Sequence, residues 1–174
     1  MIAEHHARYL IDLPKKIAEN EELLDYKLVT LEGPFVARIP LLCEKEEEFS
    51  FFIDIWQSAK SQIRFSLHLQ EDSVNQGLLR VDFNGRHKNP ETANANVPEN
   101  FRPYTGLWLD EYPGHIHYIV DGYAPLIWAI PLEIDSFPIK RVDKTEDTIA
   151  AFQAFCKTIK VQTEITVSNQ LTLF

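Results

Sequence analysis

Two histidines separated by one residue, His115 and His117, are the pair in this sequence whose type and spacing best suit chemistry. They lie in the segment 115–120, whose apolar residues predict a β-strand, and side chains two residues apart on a strand share a face. Histidine titrates near neutral pH, so such a pair suits the two proton transfers of general base and general acid catalysis. We therefore take both as candidate catalytic residues.

A second predicted strand, residues 78–84, carries polar side chains at alternate positions. If its apolar residues face the core, Arg80, Asp82 and Asn84 share the opposite face. A carboxylate such as Asp82 can orient a histidine and stabilise its charged form, and an arginine can hold a phosphate through two hydrogen bonds. The same alternation in the preceding predicted strand places Arg64 on its polar face.

If these strands are neighbours, their polar side chains converge on one face of a sheet, and the Asn84-Gly85 turn delivers Arg86 and His87 to its rim. Such a set suits metal-independent cleavage of a phosphodiester, in which a base activates a hydroxyl and an acid protonates the leaving oxygen. The predicted catalytic residues are His117, His115 and Asp82, and the predicted substrate-binding residues are Arg80, His87, Arg64 and Asn84.

Plainer interpretations use the same residues. A His-x-His pair on an exposed strand is more often polar surface than a site, and Arg80 with Asp82 is more often a cross-strand ion pair than a catalytic one. A zinc site made by Asp82, His87, His115 and His117 is a further alternative, although no HExxH or paired CxxC motif supports it. No P-loop, GxGxxG or GxSxG motif is found either, so we predict no cofactor.

The elements that position these residues follow from hydrophobic periodicity. Residues 2–24 predict a helix that Pro14 bends or splits. From Tyr26 the period changes to two, and the segments on either side of Gly33-Pro34 predict a hairpin. Alternation then predicts further strands at residues 49–55, 63–69, 78–84, 115–120 and 126–132.

A long loop and a second helix complete the chain. Residues 88–113 predict a loop whose aromatic side chains indicate that it packs down at least in part. The C-terminal helix begins with the capping-box pair Asp143 and Glu146. After it, alternating apolar residues from Ile165 to Leu173 predict a last strand or an extended tail. The buried stripe of the helix is predicted to be Ile149, Phe152, Phe155, Cys156 and Ile159.

This order of elements predicts the fold class. One helix, a run of short strands joined by turns and a final helix are typical of an α+β protein. We expect a mainly antiparallel β-sheet flanked by an N-terminal and a C-terminal helix, in a single domain over residues 1–174.

Composition limits the classes of function. Seventeen Lys and Arg residues against 26 Asp and Glu residues give a net charge of -9, which argues against a protein that coats nucleic acid through bulk charge. Two cysteines, Cys43 and Cys156, exclude a disulfide scaffold, and both are predicted to be buried apolar residues. The longest apolar run is too short to cross a bilayer and no secretion signal is present, so we expect a cytoplasmic protein.

Residues 79–132 resemble an uncharacterised family of small bacterial and phage proteins. The resemblance rests on Arg80-Val81-Asp82, the following Asn-Gly and His-x-Asn-Pro, the His-x-His pair and Trp128-Ala-Ile-Pro-Leu, which recur in that family in this order. It implies a fold and a motif but no reaction.

A weaker similarity links the same residues to small toxins of bacterial toxin–antitoxin modules. Some of these act on RNA and carry an R-x-D-N-x-x-H stretch followed by H-x-H. Here Phe83 intervenes after the aspartate, so the later Asn and His are each displaced by one place. The residues similar in type and order are Arg80, Asp82, His87, His115 and His117.

These observations predict a toxin-like protein of a bacterial or phage mobile element that acts as a metal-independent ribonuclease. Two alternatives remain open: a non-enzymatic protein-binding module of a mobile element, and a metal-dependent hydrolase that uses the same histidines. The expected partners are RNA or a nucleotide-type substrate and an antitoxin-like protein, with no membrane; a homodimer is compatible with the sequence.

Overall fold

The structure, a computed structural model, describes residues 1–31, 35–58 and 63–168. Two helices stand near the ends of the chain, α1 (Glu4–Asp12) and α2 (Thr145–Thr158). The strands are β1 (Lys16–Glu19), β2 (Glu22–Leu23), β3 (Tyr26–Thr30), β4 (Phe35–Leu42), β5 (Ser50–Gln57), β6 (Phe65–Glu71), β7 (Gln76–Phe83), β8 (Gly114–Tyr118), β9 (Trp128–Pro131) and β10 (Glu164–Ser168).

Eight strands form one sheet in the order β2-β1-β4-β5-β6-β7-β8-β9, and the pairings within it are antiparallel. The other two strands, β3 and β10, form a parallel pair. The α1 helix contacts β7, and α2 contacts β6. The predicted α+β fold, an antiparallel sheet with an N-terminal and a C-terminal helix, is confirmed.

The apolar face of the sheet is a row of cross-strand neighbours. Ile55, Leu67, Val81, Ile116 and Ile130 lie side by side on five successive strands and are at most 1% exposed. Each such side chain contributes roughly 1.5–3 kcal/mol through burial. A slip of one residue would turn the row towards the opposite face, so the core fixes the register and thereby the positions of the polar side chains.

The C-terminal helix is found where it was predicted, with a different cap. Its first turn is closed by Asp147, whose carboxylate accepts hydrogen bonds from the backbone N–H groups of Asp143 and Lys144 at 2.9 and 3.1 Å. The predicted pair Asp143 and Glu146 is therefore wrong by one position. Ile149 is half-buried, and the buried stripe consists of Thr148, Ala151, Phe152, Phe155, Cys156 and Ile159.

The predicted helix over residues 2–24 is wrong in its second half. The α1 helix ends at Asp12, because Pro14 follows and cannot continue it. The chain then forms the β1–β2 hairpin, whose turn residues Asn20 and Glu21 have φ values of 50° and 67°. Two successive left-handed residues are the geometry that a tight hairpin turn requires.

A fully buried lysine joins the ends of both helices. The Lys15 ammonium donates hydrogen bonds to the carbonyl oxygens of Ile11, Leu13 and Ile159 at 2.9, 2.8 and 3.2 Å. Carbonyls at helix ends lack partners within the helix, so this contact satisfies them. Burial lowers the pKa of Lys15 to about 8.

The predicted hairpin across Gly33-Pro34 is also wrong. The β3 strand pairs with β10, whereas β4 pairs with β1 and β5. The turn itself lies outside the described residues. The predicted last strand is confirmed as β10, and the residues after Ser168 lie outside the described part.

The segment between β7 and β8, residues 84–113, is called the covering loop here. It packs down in part, as predicted: Val97, Phe101 and Leu109 are buried, whereas Trp108 is 51% exposed. Its only regular element is a short 3-10 turn at Arg102–Tyr104. Neither described helix is long and apolar enough to cross a membrane.

Candidate functional site

The predicted convergence of polar residues is confirmed by the register of β6, β7 and β8. Asp82 lies between Ser66 on one side and His115 on the other, and Arg80 lies directly beside His117. These side chains alternate with the apolar row, so they share the opposite face of the sheet. The structure therefore brings together three predicted catalytic residues and one predicted phosphate-binding residue.

The plainer interpretation of the His-x-His pair as exposed polar surface is wrong. His115 and His117 are both fully buried, because the covering loop folds back over this end of the sheet. Their neighbours on β9 are Pro131 and Ala129, whose side chains are small and apolar. The site is a buried polar cluster that meets solvent through Asp82, whose side chain is 16% exposed.

His117 is fixed in one tautomer by the backbone. Its Nδ1 lies 2.8 Å from the carbonyl oxygen of Leu126, which can only accept, so Nδ1 carries the proton. Burial lowers the pKa of His117 to about 4, so the ring is neutral at pH 7 and its Nε2 presents a lone pair. That lone pair lies 3.0 Å from both Asp82 Oδ2 and Arg80 Nη2.

His115 has unused hydrogen-bonding capacity. Neither of its ring nitrogens has a hydrogen-bond partner among the described residues, although the side chain is fully buried. Its Nε2 lies 3.5 Å from Asp82 Oδ2, too far for a strong hydrogen bond. A buried polar group without a partner is costly, and an ion or water that completes its bonding is one explanation.

Asp82 is the centre of the cluster. Its Oδ1 accepts a hydrogen bond from Ser66 Oγ at 2.6 Å, and its Oδ2 lies 2.9 Å from Arg80 Nη2. Burial alone would raise the pKa of Asp82, but the adjacent polar side chains of His115 and His117 and the charge of Arg80 together hold it well below the usual value. The carboxylate is therefore ionised at neutral pH.

His87 covers the two histidines from the covering loop. Its ring centroid lies 4.5 Å from that of His117 and 5.7 Å from that of His115. Its Nε2 lies 2.9 Å from the carbonyl oxygen of Ile127, so this nitrogen donates and Nδ1 keeps a lone pair. Burial lowers the pKa of His87. The prediction that the turn delivers His87 to the site is confirmed.

Asn89 holds the covering loop on the sheet, a role the sequence did not indicate. Its side-chain amide bonds both backbone groups of Ala129: Oδ1 accepts from the N–H at 2.9 Å and Nδ2 donates to the carbonyl at 2.8 Å. The amide thereby pairs with β9 as a neighbouring strand would. The His-x-Asn spacing was visible, but its meaning depends on the distant partner.

Asn84, predicted to bind substrate, is instead committed to the backbone. Its Nδ2 donates hydrogen bonds to the carbonyl oxygens of Ile63 and Val142, both at 2.8 Å. Its φ of 55° turns the chain sharply after β7. This residue shapes the turn, and its amide donors are not available to a ligand.

Arg64 lies at the mouth of the site. It lines a cavity of about 320 Å³ together with Trp56, Arg80 and Asp82. Its guanidinium forms no ion pair with any residue in the described ranges. A free guanidinium beside a second one suits a phosphate group.

Asp82, His115 and His117 lie close enough together that they could hold a metal ion. The ligand atoms that they offer lie within 4.8 Å of one another. Ligands at 2.0–2.1 Å from a tetrahedral zinc ion lie about 3.3 Å apart, and the distances from Asp82 Oδ2 to the two Nε2 atoms, 3.0 and 3.5 Å, bracket that value. The Leu126 carbonyl supplies the outer hydrogen bond that typically orients a ligating histidine.

The guanidinium of Arg80 occupies one side of this centre. Its Nη2 contacts both Asp82 Oδ2 and His117 Nε2, and its Nε is buried without a partner among the described residues. A cation bound by these two atoms would replace that contact. Because the Arg80 side chain is 35% exposed, it can turn towards the cavity when displaced.

Comparison with known proteins adds a family but no activity. The model of DUF6978, a family of unknown function, matches residues 2–161. Neither the curated proteins nor the solved structures include a significant match.

Proposed function

Since the chain belongs to DUF6978, a family of unknown function, we propose its function from its own site: the metal-dependent hydrolysis of a phosphate ester. Asp82, His115 and His117 hold a divalent ion such as zinc, and Arg80 and Arg64 hold the phosphate. The observation that carries this proposal is the buried cluster of one carboxylate and two imidazoles, one of which, His115, has no hydrogen-bond partner among the described residues.

The side chains of Asp82, His115 and His117 are of the types that bind zinc. Two imidazoles and one carboxylate leave a coordination position open for water or substrate, which is typical of catalytic zinc sites. A metal ion bound there lowers the pKa of a water molecule and polarises a phosphoryl oxygen. The same ligand types also hold iron(II) in some enzymes, so the test compares several metal ions.

The protein groups then have distinct roles. His117 arrives with its Nε2 lone pair exposed to the ion, because the Leu126 carbonyl holds the proton on Nδ1. Ser66 binds the remaining oxygen of Asp82 and keeps the carboxylate in place. Arg80, displaced from the cluster, and Arg64 reach the non-bridging oxygens of a phosphate in the adjoining cavity.

The metal-independent ribonuclease predicted from the sequence is a second candidate, supported by the 3.0 Å contact between Asp82 and His117. It requires both buried histidines to reach RNA, and therefore movement of the covering loop. On the same basis we propose that the protein acts as a toxin in the cytoplasm and has an antitoxin-like partner. Growth arrest on expression of the wild-type protein would support it.

The test measures hydrolysis of bis(p-nitrophenyl) phosphate and of RNA by protein stripped with EDTA, then supplied with Zn²⁺, Mn²⁺ or Fe²⁺. We expect no activity without metal and restored activity with one of them, and a loss of roughly 10²–10⁴-fold in Asp82→Asn. The matched control is His5→Ala, an exposed histidine of α1. RNA cleavage at full rate in EDTA would favour the metal-independent mechanism, and absence of cleavage under every condition would exclude both.

A further inference from the structure

We infer that the cavity beside Asp82 binds single-stranded nucleic acid, with a base stacked on Trp56 and phosphates held by Arg64 and Arg80. The inference rests on the proposed function for the placement of the scissile phosphate beside Asp82. Binding itself needs no metal ion, so the two proposals can fail separately.

Trp56 is a large apolar side chain on an open part of the sheet. It lies on β5 between Val36 and Ser66, in the same cross-strand row as Asp82. The indole is 44% exposed and lines the cavity that also contains Asp82. Two strand spacings, about 10 Å, separate the backbones of Trp56 and Asp82. An exposed aromatic ring on a sheet is a platform on which a nucleobase stacks.

Two arginines stand beside this platform. Arg64 and Arg80 line the same cavity, and Arg64 has no ion-pair partner among the residues that the structure describes. A base on Trp56 therefore has its sugar and phosphate next to two guanidinium groups. This combination of ring and cation matches a nucleotide better than it matches a simple phosphate ester.

A second cavity extends the path beyond one nucleotide. It has a volume of about 530 Å³, shares Arg64 and Gly85 with the first, and adds Arg86 and Arg141. These two arginines pair with Asp110 and Asp143, but their side chains are 63% and 68% exposed, so the pairs are weak and open to exchange with phosphate. The groove therefore suits a strand with several phosphates.

One acidic run of the chain lies far from this groove, whereas Asp110 and Glu111 line its second cavity. The run Glu44–Glu48 lies between β4 and β5, at the end of β5 that begins with Ser50. Trp56 lies six residues further along the strand, about 20 Å away. At ordinary ionic strength, charges that far apart are largely screened, so the run Glu44–Glu48 does not prevent local binding of an anion.

The test measures fluorescence anisotropy of fluorescein-labelled octauridine and its DNA counterpart at low salt, with EDTA and separately with Zn²⁺. Stacking predicts that Trp56→Ala weakens binding roughly 5- to 100-fold while Trp56→Phe stays near wild type. Arg64→Ala should reduce the slope of log affinity against log salt by about 1. The matched controls are Tyr26→Ala, an exposed aromatic on β3, and Arg8→Ala on α1.

Each outcome decides the inference. Binding in EDTA that depends on Trp56 supports it, even if no metal ion binds and the proposed hydrolysis fails. Equal binding by Trp56→Ala and wild type, or no oligonucleotide binding under either condition, overturns it, even if simple phosphate esters are hydrolysed. Competition by uridine monophosphate at equal concentration would limit the ligand to one nucleotide and contradict the extended path, whereas inorganic phosphate should compete poorly.

Discussion

Arg80 and His117 face each other across β7 and β8, with Nη2 of the arginine 3.0 Å from Nε2 of the histidine. Because His117 Nδ1 donates to the backbone, its Nε2 accepts from the guanidinium, which also contacts Asp82 at 2.9 Å. One positively charged group thus lies against two of the three atoms proposed to hold a metal ion. Arg80 and the ion compete for the same position.

This competition predicts that Arg80→Ala binds zinc more tightly than wild type, by about tenfold, which corresponds to about 1.4 kcal/mol. The same variant should lose affinity for phosphate, because one of the two guanidinium groups at the cavity is gone. Isothermal titration with Zn²⁺ and with inorganic phosphate measures both effects. Weaker zinc binding in Arg80→Ala would mean that the arginine supports the centre instead of competing with it.

Burial makes His117 a stability residue as well as a proposed ligand. His117→Ala removes the bond to the Leu126 carbonyl and leaves space between β8 and His87. We expect a loss of roughly 2–4 kcal/mol in the free energy of unfolding, measured by urea denaturation. His5→Ala, on the exposed part of α1, should change it by less than about 0.5 kcal/mol. An equal loss in the free energy of unfolding for His117→Ala and His5→Ala would contradict the buried contacts of His117.

The pH dependence of stability follows from the same residue. The folded pKa of His117 is about 4 and its ordinary value is 6.5, so between these values the unfolded chain binds a proton that the folded chain does not. Stability therefore falls as pH decreases from 6.5 to 4, by about 3 kcal/mol from this group. Urea denaturation across this range should show a shallower decline in His117→Gln. If the free energy of unfolding changed with pH in the same way in wild type and His117→Gln, the lowered pKa of His117 would be contradicted.

The buried Lys15 predicts how stability changes at the alkaline end of the pH range. Its pKa is about 8 in the folded protein and 10.5 ordinarily, so between pH 8 and 10.5 only the unfolded chain keeps the proton. Its contribution to stability rises with pH by up to about 3 kcal/mol. Other groups titrate there too, so the measured quantity is the difference between wild type and Lys15→Met at each pH. A difference that does not change from pH 8 to 10 would contradict a buried, titrating ammonium.

The central strands and their polar face could be predicted from the sequence, because alternation in β5 to β8 is clean and a one-residue slip would expose the core. That was enough to predict that Arg80, Asp82, His115 and His117 share one face, whereas the pairing of Asp82 with His115 and of Arg80 with His117 became visible only in the structure. The first 24 residues were harder, since the spacing of Leu13 and Ile17 fits both a helix and the structure observed.

The burial of the histidines could not be read from the sequence. It depends on the covering loop, on the side chain of Asn89 bonding to Ala129, and on the carbonyl of Leu126. Leu126 has a φ of 58°, a left-handed conformation that leucine rarely adopts. The parallel pairing of β3 with β10 is similarly a long-range contact without a local signal.

The most direct test of the metal centre is a titration of EDTA-stripped protein with Zn²⁺ at pH 7.5, by isothermal calorimetry and by thermal unfolding. The metal centre predicts one zinc ion per chain, and at 100 times the dissociation constant a stabilisation of about 2.7 kcal/mol, or roughly 5–10 °C in Tm. Asp82→Asn should lose both effects, while His5→Ala keeps them. A wild-type protein that binds no zinc, or an Asp82→Asn variant that binds it as tightly, would contradict the metal centre.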